Sequence, residues 1–297
     1  MLAPTTMPNP WQDVTVVVVA YNSGHAIGAC LKSLGPAAKV VVVDNASADD
    51  SAAVVRAARP EAEIVRNVEN VGFGTAVNRG FARAATEYVL LLSPDTTIDG
   101  DALAKLVAAS DANPEAAIVA PLLKDRAGRI ELSVMGPGEH NHRPAEFAPD
   151  GTLCTWFAMA AVWLCRLDHW RTVGGFDEKI FLYGEDADLC LRTTKAGFSI
   201  VVVPAATALH LGGQSSRRNW KSRWVRDWHM TWGHLYLERN HGDPARAVSE
   251  ARSLLRRHAA RAILYFLLLR WGRAMGNLAK AAAARAFLEG RAARPVA

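Results

Sequence analysis

A lone carboxylate, Asp95, follows an uncharged apolar run, Tyr88–Leu92. Such a run fits a strand that is buried on both faces, as in a parallel sheet covered by helices. Ser93 and Pro94 end the run, because proline has no N–H with which to continue strand pairing. Open α/β sheets bind ligands at the carboxyl ends of their strands, so Asp95 is a candidate ligand-binding residue. The alternative is a turn aspartate that hydrogen-bonds its own backbone.

A cluster of acids in residues 174–192 could supply a general base. Glu185 and Asp186 follow Gly184 and are expected to open a helix over 186–196, where acids suit the positive end of the helix dipole. Simple capping would account for one of the acids. It does not account for the aromatic-rich sequence that precedes them, and a carboxylate at a helix start near apolar surface can serve as a general base.

One histidine, His210, is a candidate metal ligand. It precedes Gly212 and Gly213 at the polar end of an apolar stretch. A lone histidine is more often a packed or surface residue than a ligand, but this position makes the two interpretations equally weighted. The residues alone leave its role open.

The elements that must position these side chains alternate between strand and helix. Apolar runs predict strands over 13–20, 39–43, 63–66, 88–92, 117–120 and 199–203. Helical spacing predicts helices over 25–34, 50–58, 75–85 and 101–112. This alternation indicates an α/β fold with a mostly parallel central sheet and helices on both faces. Residues 124–151 are predicted to be a loop or weak hairpin in the site wall, and residues 152–165 a strand followed by further core.

Polar residues also follow the first two predicted strands, Tyr21 and Asn22 after one, Asp44 and Asn45 after the other. Because the carboxyl ends of parallel strands meet at one edge, we expect these side chains to gather with Asp95. The layout is typical of a nucleotide site. The chain nevertheless has no GxGxxG motif after its first strand and no GxxxxGKS or GxxxxGKT motif, which argues against a standard dinucleotide fold or a P-loop.

Charge divides the 297-residue chain into an acidic body and a basic tail. Residues 1–213 hold 17 Lys and Arg against 24 Asp and Glu, whereas residues 214–297 hold 17 against 5. This asymmetry indicates a polyanionic partner for the tail. We expect a catalytic domain over residues 1–216 and a basic, Trp- and Arg-rich helical extension over residues 217–297.

Helices are expected in the tail over 217–239, 245–257 and 279–288, the first with a tryptophan at every fourth position from Trp220 to Trp232. Its apolar stretch is too short to span a membrane. One interpretation is packing on the catalytic domain or formation of a homodimer. The other is docking in the plane of a membrane, with aromatic rings at the headgroups and arginines on anionic phosphates. No nucleic-acid-binding motif is present, so nucleic acid is not an expected partner.

The four cysteines, Cys30, Cys154, Cys165 and Cys190, stand in apolar sequence and form no CxxC pair. They are expected to be reduced core residues rather than disulfides or zinc ligands. The N-terminus shows no signal peptide. The expected location is therefore the cytoplasm, including the inner face of the cytoplasmic membrane.

Six segments in order give the chain a family resemblance. They are VTVVVVAYNSG (14–24), VVVVDNASADDS (40–51), NVGFGTAVNRG (70–80), VLLLSPDTTI (89–98), GGFDEKIFLYGEDADLCLR (174–192) and HLGGQSS (210–216). With these segments the chain resembles a family 2 glycosyltransferase of GT-A fold, in the rhamnosyltransferase-like branch that builds bacterial surface polysaccharides. Two departures stand out. Ala20 replaces a common proline, and Ser-Pro-Asp carries one carboxylate where the family's Asp-x-Asp motif carries two.

The resemblance implies a nucleotide site made of three groups of residues. Ala20, Tyr21 and Asn22 would line the nucleoside pocket. Asp44, with Asn45 beside it, would face the pyrimidine base. The nucleotide and ribose wall would be shaped by Asn70, Gly72 and Asn78.

The resemblance also implies the chemistry. Asp95, with His210 as second ligand, would hold a divalent Mg²⁺ or Mn²⁺ across the diphosphate of a nucleotide sugar. Asp186, supported by Glu185, would be the catalytic base of an inverting transfer without a covalent sugar–enzyme intermediate. The donor would be a dTDP- or UDP-sugar, such as dTDP-rhamnose, and the acceptor a glycan, including one carried on polyprenyl diphosphate.

Two rival functions remain open from the sequence. One is a non-catalytic nucleotide-sugar-binding or scaffold protein on the same fold, against which the presence of both Asp95 and Asp186 argues. The other is a nucleotidyltransferase, which would need a basic, glycine-rich triphosphate loop. The loop after the first strand, AYNSG, has no basic residue.

Overall fold

A computed structural model describes residues 9–131, 151–212 and 220–294 of the chain. In these ranges ten strands form one sheet, accompanied by nine helices. The strands are β1 (Val14–Ala20), β2 (Lys39–Asp44), β3 (Glu63–Arg66), β4 (Tyr88–Leu92), β5 (Thr96–Thr97), β6 (Ala116–Lys124), β7 (Ile130–Glu131), β8 (Leu153–Thr155), β9 (Val162–Arg166) and β10 (Ser199–His210). The helices are α1 (Gly24–Lys32), α2 (Ser51–Ala58), α3 (Phe73–Phe81), α4 (Gly100–Ala112), α5 (Leu167–Val173), α6 (Glu185–Lys195), α7 (Trp220–His241), α8 (Pro244–Leu267) and α9 (Trp271–Leu288).

The strands β3, β2, β1 and β4 run parallel in that order and form the first half of the sheet. Every residue of β1 is buried. Val16 belongs to a core cluster with residues of α1 and α4, whereas Val17 belongs to a cluster with residues of α3 on the opposite face. Helices therefore cover both faces, which explains the uninterrupted apolar run. The loops after β1, β2 and β4 consequently lie at one edge of the sheet.

Beyond β4 the sheet is mixed, so the mostly parallel sheet expected from the sequence also contains antiparallel strands. β9 lies between β4 and β6 and is antiparallel to both, with Leu164 opposite Leu90 and Val119. Residues 152–165 contain β8 followed by buried core residues, as expected, and part of that core belongs to a second strand, β9, which was not predicted. A strand buried on both faces has the same apolar pattern whichever way it runs, so residue types did not reveal its direction.

β10 continues past its predicted end at Val203 and reaches His210. Pro204 follows Val203, and a proline commonly ends strand pairing. That proline falls in a shift of register between Val203 and Thr207, where pairing with β6 is interrupted. A proline is tolerated at such an irregularity because the ladder needs no N–H there. His210 is therefore the last residue of a strand.

Two local expectations were also incomplete or wrong. The short helix α5 was not predicted, since its seven residues are too few to show a clear helical period. Cys154 is exposed, whereas Cys30, Cys165 and Cys190 are buried, and all four are free thiols. Cys154 is exposed because it lies on β8. This three-residue strand pairs with β10 and is not part of the continuous series of strands from β3 to β5.

The tail forms the three helices α7, α8 and α9. The predicted break between the first two is confirmed, because Asp243 Oδ1 accepts a hydrogen bond from Ala245 N at 2.8 Å and Pro244 occupies the first turn of α8. α8 extends to Leu267, well beyond the predicted end at residue 257. The expected division between residues 216 and 217 lies outside the described residues, as does most of the 124–151 segment.

The tryptophans of α7 do not form one exposed stripe. Trp228 and Trp232 are buried in a cluster with Ile180 and with alanines of α8 and α9, whereas Trp220 is exposed. A four-residue spacing drifts around a helix of 3.6 residues per turn, so one side of the series reaches the core and the other does not. The packing interpretation is therefore correct for Trp228 and Trp232. In the ranges described, no helix has the length and apolar character needed to cross a membrane.

Candidate active site

The loops after β1 and β2 are hydrogen-bonded to each other and form one polar wall. Asn22 has a left-handed backbone with φ of 53°, which asparagine tolerates better than most residues. Its Oδ1 accepts from Ala48 N at 2.8 Å, and its N–H donates to Ser47 Oγ at 3.0 Å. Asp44 Oδ1 accepts from Ser47 N at 3.0 Å. These contacts bring Asn22 and Asp44 to the same edge, as the sequence predicted.

Ala20 and Tyr21 differ in what they offer to a ligand. Ala20 is buried at the end of β1, and its carbonyl oxygen accepts from Asn45 N at 2.8 Å. The side chain of Tyr21 is 44% exposed. Of these two residues, Tyr21 has the ring that a bound base could reach.

Asn45 ties this wall to the loop over residues 67–74. Its Nδ2 donates to Asn70 Oδ1 at 2.9 Å and to Gly72 O at 3.2 Å. Its Oδ1 accepts from Asn67 Nδ2 at 3.0 Å and from Val71 N at 3.1 Å. All of these hydrogen bonds of the Asn45 amide are made to other protein groups. Asn45 therefore holds the polar wall in place, and its direct contact with a nucleotide base stays a prediction.

The 67–74 loop and α3 in turn hold the acidic segment. Gly72 has a left-handed φ of 88°, and a Cβ there would lie 2.5 Å from Phe181 O. Only glycine fits both constraints. Phe73 N donates to Phe181 O at 3.0 Å. Asn78 Nδ2 donates to Phe176 O and its Oδ1 accepts from Phe176 N, both at 2.9 Å. Asn78 therefore holds residues 174–192 in place, and its position in the ribose wall stays a prediction.

α6 opens with the two acids predicted to act as general base and support. Glu185 is buried and Asp186 is half-buried, and Asp186 Oδ1 accepts from Ala187 N at 2.8 Å. Burial raises the pKa of both carboxyl groups, and the charge of Asp186 raises that of Glu185 further. Because adjacent like charges repel each other, the pair gives up its two protons in separate steps. This is the environment expected of a carboxylate that removes protons near neutral pH.

The third acid of the helix, Asp188, has a structural role. Its Oδ2 pairs with Arg192 at 2.7 Å and its Oδ1 lies 2.7 Å from Nε2 of His241. Since His241 is the last residue of α7, the acid links α6 to the tail. The capping alternative, in which Glu185 or Asp186 would be the N-cap, is wrong, because the N-cap of α6 is Gly184 and no side chain caps the helix.

α7 also packs directly behind the acidic segment. A Cβ on Gly233 would lie 2.4 Å from Tyr183 O, so the two backbones are in close contact. The ring of His229 lies 5.1 Å from that of Phe181, centroid to centroid. Burial lowers the pKa of His229 to about 4, so the ring is neutral at physiological pH and brings no charge into the site.

The strands β5 and β10 bring Asp95 and His210 together. Thr96 pairs with His210, and Leu211 N donates to Asp95 O at 3.0 Å. Nε2 of His210 lies 3.6 Å from Oδ1 of Asp95. On the other side of the ring, Nδ1 lies 2.6 Å from Oε2 of Glu131. A carboxylate, an imidazole and a second carboxylate therefore stand in a row.

These contacts suit a divalent cation. In a neutral His210, donation from Nδ1 to Glu131 leaves the Nε2 lone pair facing a carboxylate oxygen of Asp95. Asp95 is buried, and its Oδ2 has no hydrogen-bond partner within the described residues. A bound cation would satisfy both acceptors. The described ranges contain no group of three or more His, Cys, Asp or Glu able to hold a metal alone, so further oxygen ligands would come from a bound molecule and water.

Glu131 was not among the residues predicted for the site. It lies on β7, which pairs with β6 so that Glu131 stands opposite Leu123. This pairing shows that residues 124–131 form the start of a hairpin, one of the two alternatives expected for the 124–151 segment. No motif or spacing singled out the Glu131 carboxylate, because its meaning depends on the histidine that β10 brings beside it.

The edge of the sheet thus combines three functions. A half-buried carboxylate can take a proton, an Asp–His pair can help to bind a cation, and the β1 and β2 loops present a polar wall. Such an arrangement suits a ligand that carries phosphate groups and a reaction that removes a proton from a hydroxyl group.

Family models match most of the chain. One described as Glycosyl transferase family 2 matches residues 15–150, and one described as Glycosyl transferase family group 2 matches residues 88–284. The N-acetylglucosaminyl-diphospho-decaprenol L-rhamnosyltransferase of Mycobacterium tuberculosis is 28% identical over 239 residues, covering 69% of this chain and 78% of that protein. Rhamnosyltransferase WbbL of Escherichia coli is 28% identical over 177 residues, covering 55% and 66%.

Among solved structures, the mannosyltransferase PcManGT from Pyrobaculum calidifontis, in complex with GDP-Man and Mn²⁺, is similar with a TM-score of 0.56 and 19% identity. The match covers 94% of this chain and 88% of that one. This similarity bears on the fold, and the GT-A fold expected from the sequence is confirmed.

Proposed function

The chain belongs to glycosyl transferase family 2, and we propose that it transfers a sugar, with rhamnose as the first candidate, from a nucleotide diphosphate to a glycan or lipid-linked acceptor. Its glycosyltransferase activity follows from the family and its relatives. The donor, the acceptor, the metal and the stereochemistry are our proposals. Rhamnose is proposed because two relatives are named as rhamnosyltransferases.

The observation that carries the proposal is the carboxyl pair at the start of α6. Asp186 is half-buried and has a raised pKa. It adjoins Glu185, and burial also raises the pKa of Glu185. We propose that Asp186 takes the proton of an acceptor hydroxyl while that oxygen attacks the anomeric carbon of the donor. The bond from this carbon to the diphosphate oxygen breaks in the same displacement. The configuration at the carbon is inverted, and the protein forms no covalent bond to the sugar.

The residues at the sheet edge would bind the donor. Tyr21, Asn22 and Asp44 would contact the nucleoside, and Asn45, Asn70, Gly72 and Asn78 would hold the surrounding loops. Asp95 and His210 would hold Mg²⁺ or Mn²⁺, with phosphate oxygens and water as the remaining ligands. When bound, this ion would stabilise the negative charge that develops on the departing nucleoside diphosphate.

The acceptor is proposed to be lipid-linked, on the example of the M. tuberculosis relative, whose name contains a diphospho-decaprenol acceptor. Such an acceptor is met at a membrane. We therefore propose peripheral membrane contact through residues 217–297 at the cytoplasmic face, with the catalytic machinery in residues 1–216.

The proposal is tested by incubating the protein with a panel of donors, including dTDP-rhamnose and UDP-sugars, and a synthetic polyprenyl-diphosphate sugar. We expect one donor to release nucleoside diphosphate in the presence of Mn²⁺ and little release after chelation. The product, analysed by NMR, should have the anomeric configuration opposite to that of the donor. Retained configuration would contradict the single-base mechanism. Donor binding without turnover for every acceptor would favour the non-catalytic binding protein.

A further inference from the structure

The two last helices form a hairpin whose outside carries the large apolar residues. Between residues 263 and 271 the large apolar residues that are more than half exposed are Ile263, Leu264, Phe266, Leu267, Leu268, Leu269 and Trp271. These seven large apolar residues lie within nine consecutive positions around the turn between α8 and α9, and we call this group the hairpin tip. Water-soluble surfaces rarely expose such a group unless something binds it.

The buried positions of α8 and α9 are mostly small residues instead. The buried residues of α8 are Ala247, Ala251, His258 and Ala262. Those of α9 are Ala274, Gly276, Ala279, Ala281, Ala283, Ala284, Ala286 and Phe287. An ordinary helical hairpin buries its large apolar side chains and exposes its small and polar ones. Near the tip this hairpin has the reverse arrangement, so the leucines are not there to stabilise the fold.

The turn itself contributes to the hairpin tip. Leu269 has a left-handed φ of 54°, a conformation that leucine rarely adopts and that glycine adopts freely. A leucine in this position places another apolar side chain at the apex of the hairpin at the expense of local strain. Next to it, the rings of Phe266 and Trp271 pack edge to face with centroids 4.9 Å apart. The two aromatic rings thus belong to one surface.

Positive charge surrounds the hairpin tip. From Ala251 to Leu288 the sequence contains eight Arg and Lys residues and no Asp or Glu. Those nearest the tip, Arg261, Arg270 and Arg273, are exposed. A second copy of this chain would bring its own arginines against these without acids from the same segment to pair with them. An anionic partner is favoured on charge.

We propose that the hairpin tip docks on the surface of an anionic phospholipid bilayer. The leucines, Phe266 and Trp271 enter the boundary between headgroups and acyl chains, and the arginines contact lipid phosphates. The docking surface is therefore α8 and α9, and not the tryptophan series of α7, half of which is buried. The binding follows from the exposed residues alone, whereas its use in catalysis rests on the proposed lipid-linked acceptor.

The experiment is co-sedimentation of the full chain with vesicles of phosphatidylglycerol and phosphatidylcholine in equal parts. Wild type should sediment with these vesicles. The double variant Leu267→Ser, Leu269→Ser should bind at least about tenfold more weakly than wild type. Both side chains are more than 70% exposed, so thermal stability should be unchanged. The matched control is Trp220→Ser on α7, a comparably exposed apolar residue outside the tip, which should bind like wild type.

Three outcomes would overturn the proposal. Wild type could remain in solution, the double variant could bind as well as wild type, or Trp220→Ser could lose binding to the same degree. Sedimentation velocity adds a further check, since a dimer abolished by Leu267→Ser, Leu269→Ser would show that a second copy covers the tip. Donor turnover without vesicles is measured in parallel and should be equal in wild type and the double variant. If the protein bound vesicles but turned over no donor, the proposed docking surface would be supported and the proposed function would be contradicted.

Discussion

At the level of single residues, Glu131 contacts His210, which the sequence predicts to bind a metal together with Asp95. It lies 2.6 Å from His210 on the side of the ring away from Asp95. A carboxylate in this position fixes the imidazole tautomer and makes the other nitrogen a better ligand. Its effect on the metal would therefore be indirect, through the orientation of the ring.

We predict that Glu131→Gln weakens Mn²⁺ binding by about 10–100-fold, because the amide holds His210 less well than the carboxylate does. The affinity is measured by calorimetric titration of Mn²⁺ in the presence of nucleoside diphosphate. Glu115→Gln, which alters an exposed carboxylate next to the opposite end of β6, is the control and should not change the affinity. Equal Mn²⁺ affinity in wild type and Glu131→Gln would show that the residue does not serve the metal.

The sequence located the residues that stand at the ends of elements. Asp95 follows a strand, and Glu185 and Asp186 open a helix, so their positions were predictable from local pattern. The detailed contacts of Asn45 and Asn78 were not, because both amides bond to segments distant in sequence. Residue type and position can be predicted from the chain, whereas the partners of a side chain depend on the assembled fold.

At the scale of elements, α7 is the support of the acidic segment. Gly233 allows its backbone to meet that of Tyr183, just before α6 begins. The same helix supplies His241 to Asp188. The geometry of Asp186 is therefore coupled to a helix that the sequence assigned to the tail.

We predict that Gly233→Ala destabilises the protein by about 1–3 kcal/mol, because the new methyl group would overlap a backbone carbonyl that cannot move freely. It should also lower the transfer rate, since Tyr183 leads directly into the carboxyl pair. Gly272→Ala is a matched control, because a Cβ at this helical glycine meets no atom within 4 Å. That change should leave stability equal or slightly raised, as helix propensity alone favours alanine.

Thermal denaturation and steady-state transfer rates of the two variants decide the matter. If Gly233→Ala were as stable and as active as Gly272→Ala, the contact between α7 and the acidic segment would contribute neither to stability nor to the transfer rate. The comparison separates a close backbone contact from the general effect of placing alanine in a helix.

Helix and strand positions were predicted well in the first half of the chain, and less well afterwards. β1 to β4 have strong apolar runs bounded by turn residues. The direction of β9 and the length of β10 were missed because direction leaves no mark on composition and because Pro204 coincides with a local irregularity. The end of α8 was missed because the helix continues into an apolar stretch with no stop signal before residue 267.

At the scale of the whole molecule, the charge division of the sequence acquires a physical meaning. The acidic body contains the candidate site, and the basic tail carries both the support of α6 and the exposed hairpin tip. The division at residues 216 and 217 stays a proposal, and the packing does not follow it, because α7 contacts the acidic segment along much of its length.

The central claim is that Asp186 is the base of a sugar transfer. The most direct test compares wild type with Asp186→Asn at saturating donor and acceptor, with Asp101→Asn on the exposed face of α4 as control. Asp186→Asn should lower kcat by about 10²–10⁴-fold while the Kd for the nucleotide sugar is unchanged, because the residue acts on the acceptor proton and not on the donor. A folded Asp186→Asn variant that transfers sugar at the wild-type rate would contradict it.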